Sequence, residues 1–562
     1  MFKASSLVGF LLCSLLATSF AAGLDQLPLQ SSAAADQDLC PQVSPLIPSK
    51  LAKLDQILDR LHNQPAFQHS AIEALGGAVR VPTESYDDLG PVGEDPRWDT
   101  FADLHVFLES TFPRVYRSLK VTKINTYGLV FHWQGSDEEL MPVLMTAHQG
   151  EMILHHAALA NRRQGRWIWG RGTVDDKSDL ISILTSIDSM LQEGFRPTRT
   201  FVFAFGFDEE ASSIEGAGHI HTYLESVYGT DSFAALLDEG SGFTNMADGI
   251  LAVPCTGEKG YLDARIEVMT RGGHSSMPPP HTGIGILAAA IVALEANPHE
   301  PFLIRNGSAF PFIQCTAKYS WTIPEDIKEL IEQAMTDDDA LLRLAALLQQ
   351  NELFASLMTT SQAVDLIRGG VKINALPERA EAVVNHRIAE HSSVKEVQYH
   401  IIHVLRPIAK AYDMTLTAFG MNAGGGSGNG GQMVVTDAWG TALEPSPSTP
   451  TADSRAWDIL AGTIQSALQQ SKTWGKRKVA VAPMLAVGNT DTRWYWNLTR
   501  HIFRYSHNSE YGVYGDIHTI NEAISDEAFI DKIRFHTRFI LNWDEAPDPF
   551  WDSTYAPWSS VA

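Results

Sequence analysis

Short apolar runs flank a middle section with a different pattern. Val143 to Ala147, Thr200 to Phe205, Phe233 to Leu237 and Val479 to Val487 are nearly continuous apolar stretches, with helically spaced stretches between them. Strands that are apolar on both faces need cover on both faces. Their alternation with helices predicts an α/β domain with a mainly parallel central sheet. Upstream, a polar leader runs to about residue 50, Lys53 to Leu61 has helical spacing, and Pro82 to Pro96 reads as a loop. Val121 to Trp133 has a hairpin pattern around Tyr127-Gly128.

From Tyr261 to about Phe419 the periodicities change. Leu262 to Met269 alternates, Thr282 to Leu294 is helical, and Val371 to Ala375 and Ala380 to Arg387 flank a turn at Pro377. Val394 to Tyr412 is helical again, and Met414 to Ala418 alternates. The order β-α-β-β-α-β predicts a ferredoxin-like α+β domain inserted into the larger one, carrying an extra helical stretch from Pro324 to about Leu366. Gly424 to Gly431 reads as the flexible junction back to the α/β domain. The expected organisation is a leader and N-terminal helix over 22–95 and a catalytic domain in two parts, 96–260 and 421–545. An inserted lid or dimerisation domain occupies 261–420, and a tail 546–562.

Charge narrows the function. With 42 Lys+Arg against 66 Asp+Glu the net charge is −24, the wrong sign for a nucleic-acid binder. At the N-terminus Lys3 precedes the uncharged stretch Leu7 to Phe20 and the small residues near Ala21. This predicts a signal peptide over 1–21, or an uncleaved anchor, and a mature chain in the secretory pathway, in the vacuole lumen or outside the cell. Beyond Cys13 there remain Cys40, Cys255 and Cys315, which allow at most one intrachain disulfide. Asn306-Gly-Ser and Asn497-Leu-Thr are glycosylation sequons.

The candidate chemistry sits at strand ends. His148 ends one apolar run, Asp208-Glu209-Glu210 follows another, and Asp238-Glu239-Gly240 follows a third. Asp175-Asp176-Lys177 lies in a glycine turn that opens a helix. Ligands of open α/β sheets collect at the carboxyl ends of the strands, and carboxylates that converge there need cations between them. Imidazole and carboxylate donors suit zinc, with cobalt or manganese as substitutes. Position thus predicts a metal site but no reaction.

Six motifs make the prediction specific: Thr146-Ala147-His148, Trp169 to Lys177, Phe207 to Glu210, Leu237 to Gly240, Gly272-Gly-His-Ser-Ser276 and Gly488-Asn-Thr-Asp-Thr-Arg493. In this order, over about residues 100 to 545, they resemble the M20 metallopeptidases, in particular the fungal vacuolar carboxypeptidase S (Gly-X carboxypeptidase) branch and the secreted N-acyl amino acid hydrolases. The resemblance implies two zinc ions bridged by Asp175, with His148, Glu210, Asp238 and His518 as further ligands. It implies Glu209 as general base and His274 as the group that stabilises the oxyanion. Asn374 and Arg387 match the family's substrate-binding pair, and Arg493 offers a second guanidinium for a terminal carboxylate. The implied substrate is a small peptide or an N-acyl amino acid, and homodimers through the inserted domain are expected. The activity expected first is that of a carboxypeptidase, with an N-acyl amino acid amidohydrolase as the alternative and an aminopeptidase as a third.

One motif departs from the family. Members usually carry His-x-Asp, whose Asp orients the metal-bound imidazole, but here the sequence is His148-Gln149-Gly150. The family's next elements are also absent between Gly150 and Arg166, where His155, His156, Arg162 and Arg163 stand instead. The expectation from this break is a misjoined splice junction or local frameshift, or else a catalytically impaired homologue.

Overall fold

The computed structural model describes residues 38–152, 163–164, 166–246, 249–320, 323–515 and 517–548. The segment read as a signal peptide, His155, His156 and Arg162, and the tail beyond Asp548 lie outside them. Among the described residues no helix is long and apolar enough to cross a membrane.

A ten-stranded sheet forms the body. Its main path runs Lys120–Ile124, Gly128–Trp133, Phe201–Gly206, Val143–His148, Ala235–Met246, Ile502–Ser509, Cys255–Glu258 and Met484–Ala486. The middle strands pair in parallel: Val143–His148 with both Phe201–Gly206 and Ala235–Met246, and the last of these with Ile502–Ser509. The Lys120 edge is an antiparallel hairpin. Every residue of Val143–His148 and Phe201–Gly206 is buried. The helices Pro65–Val79, Lys177–Gln192, Arg455–Gln470 and Asp526–Glu545 cover one face, and His219–Tyr228 covers the other. This double cover is why the strands read as unbroken apolar runs.

A second sheet has the order Ser361–Gly369, Arg379–Ile388, Gly260–Met269, Gly431–Asp437, Met414–Ala418 and Met421–Gly425. Helices Gly283–Glu295 and Val394–Ala411 pack on it around Leu262, Ile266, Ile286, Val384 and Ile401. The α+β pattern is present, with three differences from the sequence reading. The strand expected at Val371 to Ala375 lies earlier, at Ser361–Gly369, and Val371 and Ile373 are fully exposed. The small sheet takes in residues up to Asp437, past the expected boundary at 420. Gly424 to Gly431 is no loose junction: Ser427 N and Asn429 Nδ2 donate to Asp413 at 2.5 and 3.1 Å. A Cβ at Gly430 would lie 1.9 Å from the Tyr412 carbonyl oxygen, so only glycine fits that wrap.

The extra helical stretch is also placed differently. Glu325–Ala334, Asp338–Leu348 and Glu352–Met358 pack with Ala309–Tyr319 against Met246, Leu251, Ala480 and Leu485 at the far edge of the body. A disulfide between Cys40 and Cys315 ties the leader to this bundle, and Cys255 is free and buried.

The small domain encloses a histidine cluster. The His299 ring lies 4.1 Å from that of His400 and 5.9 Å from that of His386. Burial, then the charges of neighbouring imidazoles, pushes His299 down to about 3, and burial pushes His386 down to about 4. The unfolded chain therefore binds protons, below about pH 6.5, that the folded domain refuses. Their contribution to stability is complete above that pH and is lost as the pH falls towards 4. Thermal unfolding at pH 7 and pH 5 should show a lower Tm in acid, and His386→Gln should shrink the difference. An unchanged difference in the variant would count against this source.

Candidate metal centre

At one edge of the parallel strands, the segments beyond them carry Asp175, Glu209 and Glu210, while Asp238 and Glu239 lie within the strand Ala235–Met246. His148 is the last residue of its strand, and Glu209 and Glu210 open the turn Glu209–Ala211 after Phe201–Gly206. Asp175 and Asp176 directly precede helix Lys177–Gln192. A buried ion pair fixes this turn: Glu522 Oε1 accepts from the backbone N–H groups of Val174 and Asp175 at 2.7 and 3.3 Å, while Glu522 Oε2 meets Arg171 Nη1 at 2.8 Å. His518, four residues before Glu522, is thereby brought to the same cleft.

Asp175 stands between two imidazoles. Its Oδ1 is 2.9 Å from His148 Nε2 and its Oδ2 3.3 Å from His518 Nε2. His518 Nε2 is also 3.0 Å from Glu210 Oε2. His148 Nε2 lies 3.3 Å from Glu239 Oε1 and 3.9 Å from Glu209 Oε2. Two overlapping donor groups result, His148 with Asp175 and Glu210, and His148 with Asp176 and Glu239, each with its donor atoms within 4.8 Å of one another.

Too many carboxylates meet here for the positive charge available. Burial pushes Glu239 up to about 8, and burial plus the charge of Glu239 pushes Glu209 well above its ordinary range. Hydrogen bonds to Asp175 and Glu210 raise His518 to about 10. Burial opposes charge on His148 and on Asp175, yet Glu239 and Asp175 hold His148 high, and the two imidazoles hold Asp175 low. Glu210 Oε1, Asp176 Oδ1 and Asp238 Oδ2 are shut from solvent without a hydrogen-bond partner. Lone pairs aimed inward from a mixed histidine and carboxylate set suit divalent cations of the zinc type.

The departure at residue 150 has a structural counterpart. His148 Nδ1 lies 3.0 Å from the Gly150 carbonyl oxygen, which can accept its proton and leave Nε2 free to coordinate. Gln149 and Glu151, on either side of Gly150, are firmly held. Thr83 Oγ1 donates to the Gln149 carbonyl at 2.6 Å, Gln149 Nε2 to the Tyr127 and Phe205 carbonyls, and Lys177 Nζ meets Glu151 Oε2 at 2.8 Å. A Cβ on residue 150 would fall 2.7 Å from the Phe207 carbonyl oxygen and 2.8 Å from Ser85 Oγ. Gly150→Asp, which recreates the family's motif, is therefore expected to weaken zinc binding about tenfold or more, by pushing the carbonyl off His148. Competition against a chromogenic chelator measures it, and an unchanged or tighter Kd would refute the assignment.

The other residues singled out by sequence belong to neither donor group. Asp238 Oδ1 accepts from Thr146 Oγ1 at 2.7 Å, and Asp238 belongs to neither donor group; its neighbour Glu239, which strand-end position alone does not distinguish, faces His148 instead. His274 is exposed on the short strand Gly273–His274 and bonded to Ser276 Oγ at 2.7 Å. Asn374 lies in an exposed turn of the small domain and not on a strand. Arg387 and Arg493 both reach Tyr261, at the border of the two domains. Asp176 is the other donor that the sequence reading passed over, one residue from Asp175 and separable from it only by the turn's conformation.

Comparison with known proteins agrees with this geometry. The model of "Peptidase family M20/M25/M40" matches residues 154–542. Carboxypeptidase S of Saccharomyces cerevisiae is 35% identical over 519 residues, covering 90% of this chain and 89% of the relative. The N-fatty-acyl-amino acid synthase/hydrolase PM20D1 of Bos taurus is 30% identical over 492 residues, covering 84% and 87%. Human carnosine dipeptidase 1 shares the fold, with a TM-score of 0.59 at 13% identity, covering 89% of this chain and 100% of that one. The chain therefore belongs to peptidase family M20/M25/M40 and is an M20-type metallopeptidase.

Proposed function

We propose that the protein is a dinuclear zinc carboxypeptidase that hydrolyses the amide next to a C-terminal amino acid with a free carboxylate. The observation that carries this reading is Asp175 lying between His148 and His518, with Glu209 and Glu210 beside them. His148, Asp175, Glu210 and His518 would hold the ions, with Glu239 or Asp238 completing the set. Bound zinc would polarise the scissile carbonyl and lower the pKa of a water. Glu209 takes the proton of the attacking water and passes it to the leaving nitrogen, serving as base and then as acid. Arg387 and Arg493 grip the α-carboxylate, with Asn374 orienting the neighbouring amide. His274 stabilises the oxyanion once the small domain closes over the cleft.

The disulfide between Cys40 and Cys315 supports a lumenal or extracellular site of action, since such bonds persist in oxidising compartments. Hydrolysis of N-acyl amino acids on the same residues is the second reading, favoured by the likeness to the N-fatty-acyl-amino acid synthase/hydrolase.

Incubation of the purified chain with an N-blocked Gly-Leu dipeptide, together with zinc analysis, tests the proposal. Leucine should be released, the release should stop with a chelator, and zinc should restore it. A fatty-acyl amino acid assayed beside it separates the two readings. Absence of any chelator-sensitive product from either substrate would refute both.

A further inference from the structure

Tyr261 is the second residue of the small domain's strand Gly260–Met269 and stands directly opposite Arg387 in the antiparallel pairing with Arg379–Ile388. The Arg387 guanidinium lies 5.8 Å from the centre of the Tyr261 ring. From the other domain, Arg493 Nη1 donates to the Tyr261 hydroxyl at 3.1 Å, and its guanidinium lies 5.5 Å from the same ring. One aromatic side chain thus touches two arginines that belong to different domains.

Neither arginine has a carboxylate partner among the described residues. The remaining contacts of Arg387 lead to Asn489, whose Oδ1 accepts from Nη1 at 3.1 Å and whose Nδ2 donates to the Lys259 carbonyl at 2.6 Å. Arg493 also lies over Trp494, 5.5 Å from its ring. Two guanidiniums without acids are unexpected in a chain with 24 excess negative charges. The pair repel each other, and the electron-rich face of a tyrosine offsets only part of that. An anion between them would supply the rest, held by two forks of N–H donors.

We propose that Tyr261 is a positioning residue that assembles Arg387 and Arg493 into a single receptor for the substrate's α-carboxylate, an inference that rests on the carboxypeptidase reading above. The ring sets the spacing of the guanidiniums, and the hydroxyl fixes the direction of the Arg493 donors. Because the arginines come from different domains, the carboxylate also bridges the domain boundary, so an amidated C-terminus loses both forks.

Calorimetric binding of N-acetyl-L-leucine and of its C-terminal amide tests this in the zinc-loaded full chain, with Glu209→Gln as background to stop turnover. The acid should bind about tenfold or more tightly than the amide. Tyr261→Ala should remove most of that preference without changing zinc content. Tyr261→Phe, which keeps the ring and lacks the hydroxyl, should lower it severalfold and decides the matter if the alanine variant does not fold. A purely structural role would weaken acid and amide alike and leave their ratio unchanged. A ratio that survives both substitutions overturns the role of Tyr261 while the carboxypeptidase reading stands. A background protein that does not distinguish acid from amide overturns both.

Discussion

Glu209→Gln is expected to lower kcat about a thousandfold while the protein keeps its zinc. The substitution preserves shape and removes the ability to accept a proton, and general-base contributions of this kind are worth on the order of 10²–10⁴ in rate. Glu209 lies 3.9 Å from His148 Nε2, the longest of the five acid contacts that the two imidazoles make among the described residues, so its loss leaves the donor groups intact. Burial and the nearby Glu239 both disfavour its charged form, a kind of perturbation that gathers at functional sites. Turnover of the blocked dipeptide and metal content, measured on one preparation, check the expectation. Near-normal kcat with full metal would remove Glu209 from the chemistry.

Asp175→Asn should have an effect at least as large by a different route. Among the described residues Asp175 is the one carboxylate within 3.3 Å of both His148 and His518, so neutralising it strips charge from both imidazole neighbourhoods at once. Zinc binding should weaken about a hundredfold or more, and activity at ordinary zinc concentration should fall below detection. The fold should survive, because the turn hangs on backbone bonds to Glu522 and on the Glu522 to Arg171 pair rather than on the Asp175 side chain. Circular dichroism and zinc titration separate the two effects. Unaltered zinc affinity would show that Asp175 is no ligand.

Several features of the centre were legible in the sequence because they follow from position on a strand. His148, Glu209 and Glu210 come directly after apolar runs, and parallel strands buried on both faces must end at one edge. The helical insert was legible as helix but not in its placement, since Glu325–Ala334 and its neighbours could bury their apolar faces against either domain. Adjacent acids were harder still. Asp238 and Glu239 are neighbours within the strand Ala235–Met246; Asp238 accepts from the Thr146 hydroxyl, 92 positions away in sequence, while Glu239 lies 3.3 Å from His148.

The sequence by itself determined the α/β body, the inserted α+β domain and the family, because periodicity and motif order are local properties of the chain. Only the tertiary structure decided that the Gly150 carbonyl meets His148 Nδ1, that Cys40 pairs with Cys315, and that Arg387 and Arg493 share Tyr261. Each of these depends on contacts between segments far apart in sequence, and no local pattern fixes which distant group arrives at a given hydrogen bond, sulfur or ring face.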